Sequence, residues 1–360
     1  MATTAEYGIG EFTFPRGWFV VAQSEDATNK PIPMRYFGRD LILYRGQKTG
    51  KPVVMDAYCP HMKTHLAKNE TSYIVLDGQQ TEGDDIRCPY HGWKFGPDGK
   101  CNEIPYSPAP IPKAAKIRAY PAMEWGGLVL MWHDEEEGEP DFQPHPLPEW
   151  DDPKWVNWKI DSLGVLPCHP QEVIDNITDK AHLAPLHGSM DMEYFESACE
   201  GHIIRQVLAA GHRTLADEVM INDTWYTGPG LLMSKMLGYY NSIMLVAHTP
   251  VEDGTTRAWH ALMVEPPNMP MTAEDEEAVP AFQEGSKLAL LQDFDVWANK
   301  APCLQIMQVV GDGPFNKARL WYKQFFNPRA DVAKYQKKSD GKWITKGTSR
   351  DPWPQAEAAE

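Results

Sequence analysis

The sequence predicts an α+β protein of two domains, and three observations carry that reading. Up to Trp132 the apolar residues come in short runs bounded by Gly, Pro and charged turns, with no helical period among them. An acidic, Pro-rich stretch, His133–Trp155, then interrupts the chain with few residues that a core could use. Beyond it, strand-like runs alternate with helical stretches, and the longest of these carries apolar residues at helical spacing from Ala278 to Lys300. The expected limits are a first domain at 1–135, a linker at 136–153, a second domain at 154–330 and a polar tail at 331–360. A chain of 360 residues, 42% of them hydrophobic, suffices for two cores.

In the first domain "GWFVVAQS", "LILYRG", "PVVMDAYC" and "GGLVLMWH" read as strands. In the second, "QEVIDNITDKAHLAPLH" (Gln171–His187) reads as a helix until Pro185 interrupts it. "HIIRQVLAA", "LADEVMIND", "YYNSIMLVAHTP" and "TRAWHALMVEPP" follow as sheet strands. The tail is read as partly disordered or packed on a neighbour. A net charge of −16 argues against a nucleic-acid partner, since little would neutralise phosphates. No apolar run is long enough for a membrane span. "MATTAEYGIGEF" has neither a basic nor an apolar leader segment. Six cysteines make no disulfide framework, so the expectation is a cytoplasmic enzyme with reduced thiols.

Two loops, "CPHMKTHLAKN" and "CPYHGWKFGPDGKC", hold Cys59 and His61, then Cys88 and His91. Thiolate and imidazole suit both zinc and iron–sulfur iron. Zinc fingers group Cys with Cys and His with His, whereas each loop here mixes them. Mixed loops fit a Rieske [2Fe–2S] centre, with two Cys on one iron and two His on the other. "CPYHGWKF" followed by "GPDGKC" resembles the second cluster loop of Rieske non-haem iron oxygenases, and "CPHMKTHL" resembles the first. Lys63 stands where that family usually has Gly, so the first turn is expected to differ in shape. Residues 62–87 exceed the family's usual spacing and read as a surface hairpin around "YIVL"; the other reading is a contact with a reductase or neighbouring subunit. His65 is placed beside the cluster or on the surface, and Cys101 reads as a buried small residue.

In "DNITDKAHLAPLH", Asp179 and His182 fall on one helical face, with Asp175 a turn earlier. A kink at Pro185 brings His187 back towards His182. Two His and one carboxylate form the open-sided iron site of non-haem Fe(II) oxygenases. The D-x2-H-x4-H spacing is similar to the same family's catalytic motif, which implies His182 and His187 as ligands of a mononuclear Fe(II). It also implies Asp179 as a bridge to a cluster His of the next subunit, for which His91 is the candidate. The third ligand is sought in "LLQDFDVWANK", which resembles the corresponding segment of the 3-ketosteroid 9α-hydroxylase oxygenases. Trp297 sets the alignment and gives Asp293; Asp295 would point about 200° away round a helix.

That branch is similar over roughly Phe14 to Phe326, through "RGWFVVAQ", "VVMDAYCPHM", "EVIDNITDKAH", "FESACEGH" and "GDGPFNKARLWYKQFF". The resemblance implies an N-terminal Rieske β-sandwich and a C-terminal helix-grip (START-like) domain, an antiparallel sheet around a long helix with an apolar cavity. It also implies a head-to-tail homotrimer. Met190, Tyr239, Tyr240 and Met244 are the candidate substrate-binding residues. No nucleotide fingerprint is present, since "GDGPFN" and "GPDGK" are short turns. Electrons from NAD(P)H would therefore arrive through a separate flavin/iron–sulfur reductase or a ferredoxin. The implied reaction is O2-dependent hydroxylation of a bulky, apolar, steroid-like molecule, one oxygen atom leaving as water. The alternatives are an O- or N-demethylase, an aromatic-ring oxygenase acting on a smaller substrate, or a Rieske electron carrier with no second iron.

Overall fold

The computed structural model describes residues 1–238 and 240–348, and the side chains of all of these but 215–218. Two units form: Trp18–Asp141, and Met1–Gly17 together with the chain from Phe142 onward. The start of the first domain at residue 1 is thereby corrected. The one-turn helix α1 (Thr4–Tyr7) belongs to the larger unit because Thr4 is buried there. Its N–H donates to Asp253 Oδ1 (2.8 Å) and its hydroxyl to the Thr13 carbonyl (2.7 Å).

The regular elements of the smaller unit are almost all strands: β1 (Gly17–Gln23), β2 (Ile32–Tyr36), β3 (Arg39–Arg45), β4 (Pro52–Asp56), β5 (Thr81–Glu82), β6 (Asp85–Arg87), β7 (Lys94–Phe95), β8 (Cys101–Glu103), β9 (Ala119–Tyr120), β10 (Ala122–Trp125) and β11 (Leu128–His133). They form three sheets, β1-β11-β10, β2-β3-β4-β9 and β5-β6-β7-β8. Cys59 and Cys88 lie in the same core cluster as Ile42, Tyr44, Met55 and Phe95, so the hydrophobic core itself fixes both cluster loops. The expected hairpin around "YIVL" is replaced by one helical turn, α2 (Tyr73–Leu76). Asn69 Oδ1 accepts from the Ser72 N–H (2.9 Å) and diverts the run, and the Ser72 hydroxyl donates to the Pro89 carbonyl (2.6 Å). Tyr73 and Leu76 remain exposed. Cys101 is half-buried at the edge of the core rather than enclosed.

In the larger unit one antiparallel sheet has the order β12-β18-β17-β16-β15-β14-β13-β19. Its strands are β12 (Asp161–Leu166), β13 (Ser189–Glu200), β14 (Ile203–His212), β15 (Leu215–Thr227), β16 (Leu231–Leu237), β17 (Asn241–Pro250), β18 (Thr256–Glu265) and β19 (Gly341–Lys346). The helices are α3 (Pro170–Asn176), α4 (Leu183–His187), α5 (Ala273–Asn299), α6 (Phe315–Lys323) and α7 (Val332–Ser339). Leu290, Phe294 and Trp297 of α5 pack on Leu166, Val246 and Ala258 of the sheet. This is the expected sheet-and-long-helix α+β architecture.

Three expectations are corrected here. Gln171–His187 is two helices parted at Ile177–His182, and Pro185 lies inside α4, at a position where no intrahelical N–H is needed. α5 starts at Ala273 rather than Ala278, because Thr272 and Asp275 form a reciprocal capping box. Of the polar tail, residues 331–348 are described, where α7 packs beside α6 and β19 pairs with β13; the expectation for 349–360 lies outside the described residues. Phe142, in the expected linker, is buried and stacks on His202 (4.6 Å between centroids). Among the described residues no helix is long and apolar enough to cross a membrane.

Candidate functional site

Each cluster loop closes as one tight turn. Lys63 N–H donates to the Cys59 carbonyl (2.9 Å) and Cys59 N–H to Thr64 (3.0 Å); Gly92 N–H donates to the Cys88 carbonyl (3.0 Å) and Cys88 N–H to Trp93 (2.7 Å). Gly92 has φ +74° and Lys63 has φ +58°, so Lys63 adopts the left-handed conformation that Gly takes in the second loop. The expected difference in turn shape is therefore absent.

In space like pairs with like. The Cys59 and Cys88 thiols are buried against each other, while the His61 and His91 rings meet at 4.6 Å and 73° towards solvent. Hydrogen bonding between the thiols pushes Cys59 up and draws Cys88 down to about 6, helped by the N–H groups of Tyr90 and His91. Trp93 lies flat on His61 (4.6 Å, 9°) and is itself held by an N–H bond to Tyr106 (2.8 Å). Two thiols inside and two imidazoles outside fit a two-iron cluster. A structural zinc needs four ligands converging on one point. The group of three or more His, Cys, Asp or Glu that converges within 4.8 Å among the described residues lies elsewhere, at His182, His187 and Asp293.

His182 ends the loop between α3 and α4, His187 ends α4, and Asp293 sits on α5. His187 Nε2 is 3.2 Å and His182 Nε2 4.0 Å from the Asp293 carboxylate, with the two rings nearly perpendicular. The other ring nitrogens face acceptors. His187 Nδ1 is 3.1 Å from Gln292 Oε1. His182 Nδ1 is 3.5 Å from Asp179 Oδ2, within ion-pair reach but longer than a hydrogen bond. A proton on each Nδ1 leaves both Nε2 lone pairs facing the carboxylate, so an N,N,O donor set fits a metal that keeps open positions. Burial works against charge on His187, but Asp293 and Gln292 more than offset it and raise its pKa. Burial likewise opposes charge on Asp179, yet His182 holds that carboxyl below its ordinary value.

Two residues that sequence reasoning missed complete the group. Asn176 donates to Asp293 Oδ1 (3.0 Å) and lies 3.3 Å from His182 Nε2; Gln292 orients His187. Both adjoin the motifs, but neither has a spacing signature. Asp175 faces Arg319 (2.9 Å) and Gln171 (3.1 Å) instead of the triad, and burial raises it to about 6 despite Arg319. Asp295 is exposed and accepts from Asn299 (3.2 Å). Gly313 in "GDGPFN" braces the loop: a Cβ there would lie 1.7 Å from the Thr178 carbonyl oxygen. His65 accepts the Ala67 N–H (3.1 Å) and holds its own loop.

The triad opens onto a cavity of about 470 Å³ between the sheet and α5. Even-numbered residues of successive strands face it, among them Leu208, Asn222, Ser234 and Met244, as the two-residue period of a strand requires. Of the expected lining, Tyr240 and Met244 are present. Met190 is not: it is 51% exposed, because Ser189 pairs with cavity-lining His212 and Met190 with Gly211, which puts Ser189 on the cavity face and Met190 on the other. Tyr239 lies outside the described residues. The wall is also less uniformly apolar than Met-rich strands imply, since Gln206, Asn222, Thr224 and Ser234 line it.

Residues 17–121 match the Rieske [2Fe-2S] domain family, and residues 131–326 match the 3-ketosteroid 9α-hydroxylase C-terminal domain family. The chain is 31% identical to the oxygenase component of 3-ketosteroid-9-alpha-monooxygenase from Mycolicibacterium smegmatis, over 89% of this chain and 84% of that protein. It is 30% identical to a probable 3-ketosteroid-9-alpha-monooxygenase oxygenase component from Rhodococcus rhodochrous, over 91% and 84% respectively. The crystal structure of dicamba monooxygenase bound to dicamba shares the fold, with a TM-score of 0.66 at 17% identity over 94% of this chain and 99% of that one. The chain thus belongs to the Rieske oxygenases that carry a 3-ketosteroid 9α-hydroxylase C-terminal domain, and it is an enzyme with a Rieske iron–sulfur domain.

Proposed function

We propose that this chain is the terminal oxygenase of a monooxygenase that uses O2 and NAD(P)H to hydroxylate a bulky, apolar, steroid-like substrate. The observation that carries the reading is the His182–His187–Asp293 group opening directly onto the large cavity. His182 and His187 would present Nε2, and Asp293 a carboxylate oxygen, to a mononuclear iron; Cys59, His61, Cys88 and His91 would hold the Rieske cluster. Iron bound there supplies reductive O2 activation, with electrons delivered through the cluster. The protein's part is positional. Asn176 and Gln292 orient the ligands, and Tyr240, Met244, Leu290 and Trp297 seat apolar surface, worth about 25 cal/mol per Å² removed from water. The relatives' names, each an oxygenase component of a 3-ketosteroid monooxygenase, support both the substrate class and a separate reductase or ferredoxin.

The assembly belongs to the same reading: a head-to-tail homotrimer in which Asp179 of one subunit meets His91 of the partner subunit. Asp179 already faces the outer nitrogen of His182, and His91 stands on the solvent side of its cluster loop. The cytoplasm suits six free thiols. Oxygen uptake with a surrogate reductase tests the function. Uptake coupled to a hydroxylated steroid is expected. Coupled turnover confined to small monocyclic aromatics or to demethylation would overturn the substrate class.

A further inference from the structure

We infer that Ser286 is a hydrogen-bond acceptor built into the cavity wall, held in that state by His260 and Asp161, and that it selects substrates carrying a hydroxyl rather than a ketone at that contact. This rests on the proposed cavity function and names its substrate class more narrowly.

Asp161 and His260 are directly opposed across β12 and β18. His260 Nδ1 lies 3.3 Å from Asp161 Oδ2, and His260 Nε2 lies 2.9 Å from Ser286 Oγ. A carboxylate can only accept, so Nδ1 carries the ring proton. His260 is 1% exposed, and burial disfavours its charged form. A neutral ring protonated at Nδ1 has a bare lone pair at Nε2. The Ser286 hydroxyl therefore donates to His260, and its oxygen faces the cavity with lone pairs only. The Met244 sulfur 3.6 Å from that oxygen is a weak competitor for the proton. A cavity hydroxyl or N–H can donate to Ser286; a carbonyl cannot.

The array resembles a hydrolytic triad in composition alone. Ser286 lies in the middle of α5, where backbone N–H groups are spent on the helix and none remains for an oxyanion. Its use is recognition. Ser286 and Asp293 both line the cavity, seven positions apart on one helical face, which separates them by about 10 Å. A hydroxyl held at Ser286 thus fixes a rigid polycycle at a set distance from the triad. The cross-strand row Gln206, Thr224, Ser234, Met244 leads across the sheet to the same place. Thr224 and Ser234 satisfy each other (2.7 Å), while Gln206, buried in the same wall, has an unpaired Nε2.

The test compares matched ligands on the iron-loaded protein: one steroid as its alcohol and as its ketone, and 4-phenylcyclohexanol beside 4-phenylcyclohexanone. Dissociation constants are measured for wild type, Ser286→Ala and Asp161→Asn. The expected result is a wild-type preference for alcohol of about tenfold, abolished in Ser286→Ala and weakened in Asp161→Asn, with ketone affinity little changed. A purely structural Asp161 would alter stability and leave the ratio intact. Equal affinity for both members of every bound pair, or a preference that survives Ser286→Ala, overturns the inference. An alcohol preference seen with the phenylcyclohexyl pair alone, no steroid binding, sustains the inference and removes the steroid-like substrate class.

Discussion

Lys63 holds the first cluster turn in a left-handed conformation that costs a non-glycine residue roughly 1–2 kcal/mol. Lys63→Gly should stabilise the smaller unit by somewhat less than that, because glycine also gains freedom in the unfolded chain. A rise in the denaturant midpoint with unchanged cluster absorption is the expected result. Asn176 bears on the other site, where it bonds Asp293 and lies beside His182. Asn176→Ala should weaken iron affinity about 10- to 100-fold while leaving acid-labile sulfide unchanged, as measured by chelator competition. Both residues show how far the sequence can be read. The four cluster positions stand out because their chemistry is local, two residues on each tight loop. Asn176, Gln292 and Ser286 act on partners brought close only by the fold, Asn176 on a carboxylate more than a hundred residues away. No spacing rule exposes such contacts.

At the scale of elements, α3 links pH to the iron loop. His169 is its N-cap, accepting the Gln171 N–H at Nδ1 (3.0 Å) and meeting the Thr4 hydroxyl at Nε2 (3.0 Å). Burial lowers its pKa from 6.5 to about 4, so the unfolded chain binds this proton first. His248, fully enclosed, is lowered to about 3 by the same cause. Their stabilisation is complete above pH 6.5 and is lost as pH falls from there through about 4. Asp175, raised to about 6, works in the opposite sense: its share is complete below the ordinary carboxylate value and lost as pH rises through about 6. Unfolding midpoints between pH 7 and 4 should therefore fall, and His169→Asn, which keeps a capping acceptor, should flatten part of the slope. α5 shapes the cavity by what it omits. A Cβ at Gly285 would meet nothing within 4 Å, and Gly285 lines the cavity. Gly285→Leu should fill that space and raise KM for polycyclic substrates about tenfold or more, with metal content intact. The long helix and the strands were legible from periodicity. The break at Ile177–His182 was not, because apolar spacing continues across it while the hydrogen-bond ladder does not. Nor was the inward face of Ser189 rather than Met190, since which face of β13 meets the cavity is set by its pairing with β14, Ser189 opposite His212, and not by its own composition.

For the whole molecule, the function proposed above requires two iron centres in separate units of one chain, coupled between subunits of a trimer. The larger unit's N-terminal residues 1–17 precede the smaller unit in sequence. Composition did not show that return of the chain, because it rests on Thr4 meeting Asp253 and His169. Coupling across subunits predicts that Asp179→Asn keeps both centres loaded and the cluster reducible, yet slows cluster-to-iron transfer by orders of magnitude in a single turnover. Near-normal transfer would exclude the bridge, and loss of iron alone would reduce Asp179 to a support for His182. The most direct test of two centres is metal and sulfide analysis of fully loaded protein beside two variants. Wild type should hold three irons and two acid-labile sulfides per chain. Cys88→Ser should lose the sulfide and the visible absorption but still bind one iron, and His182→Ala should keep the cluster and lose the single iron. Zinc in place of iron with no acid-labile sulfide, or a wild-type protein holding the cluster irons alone, would contradict the account.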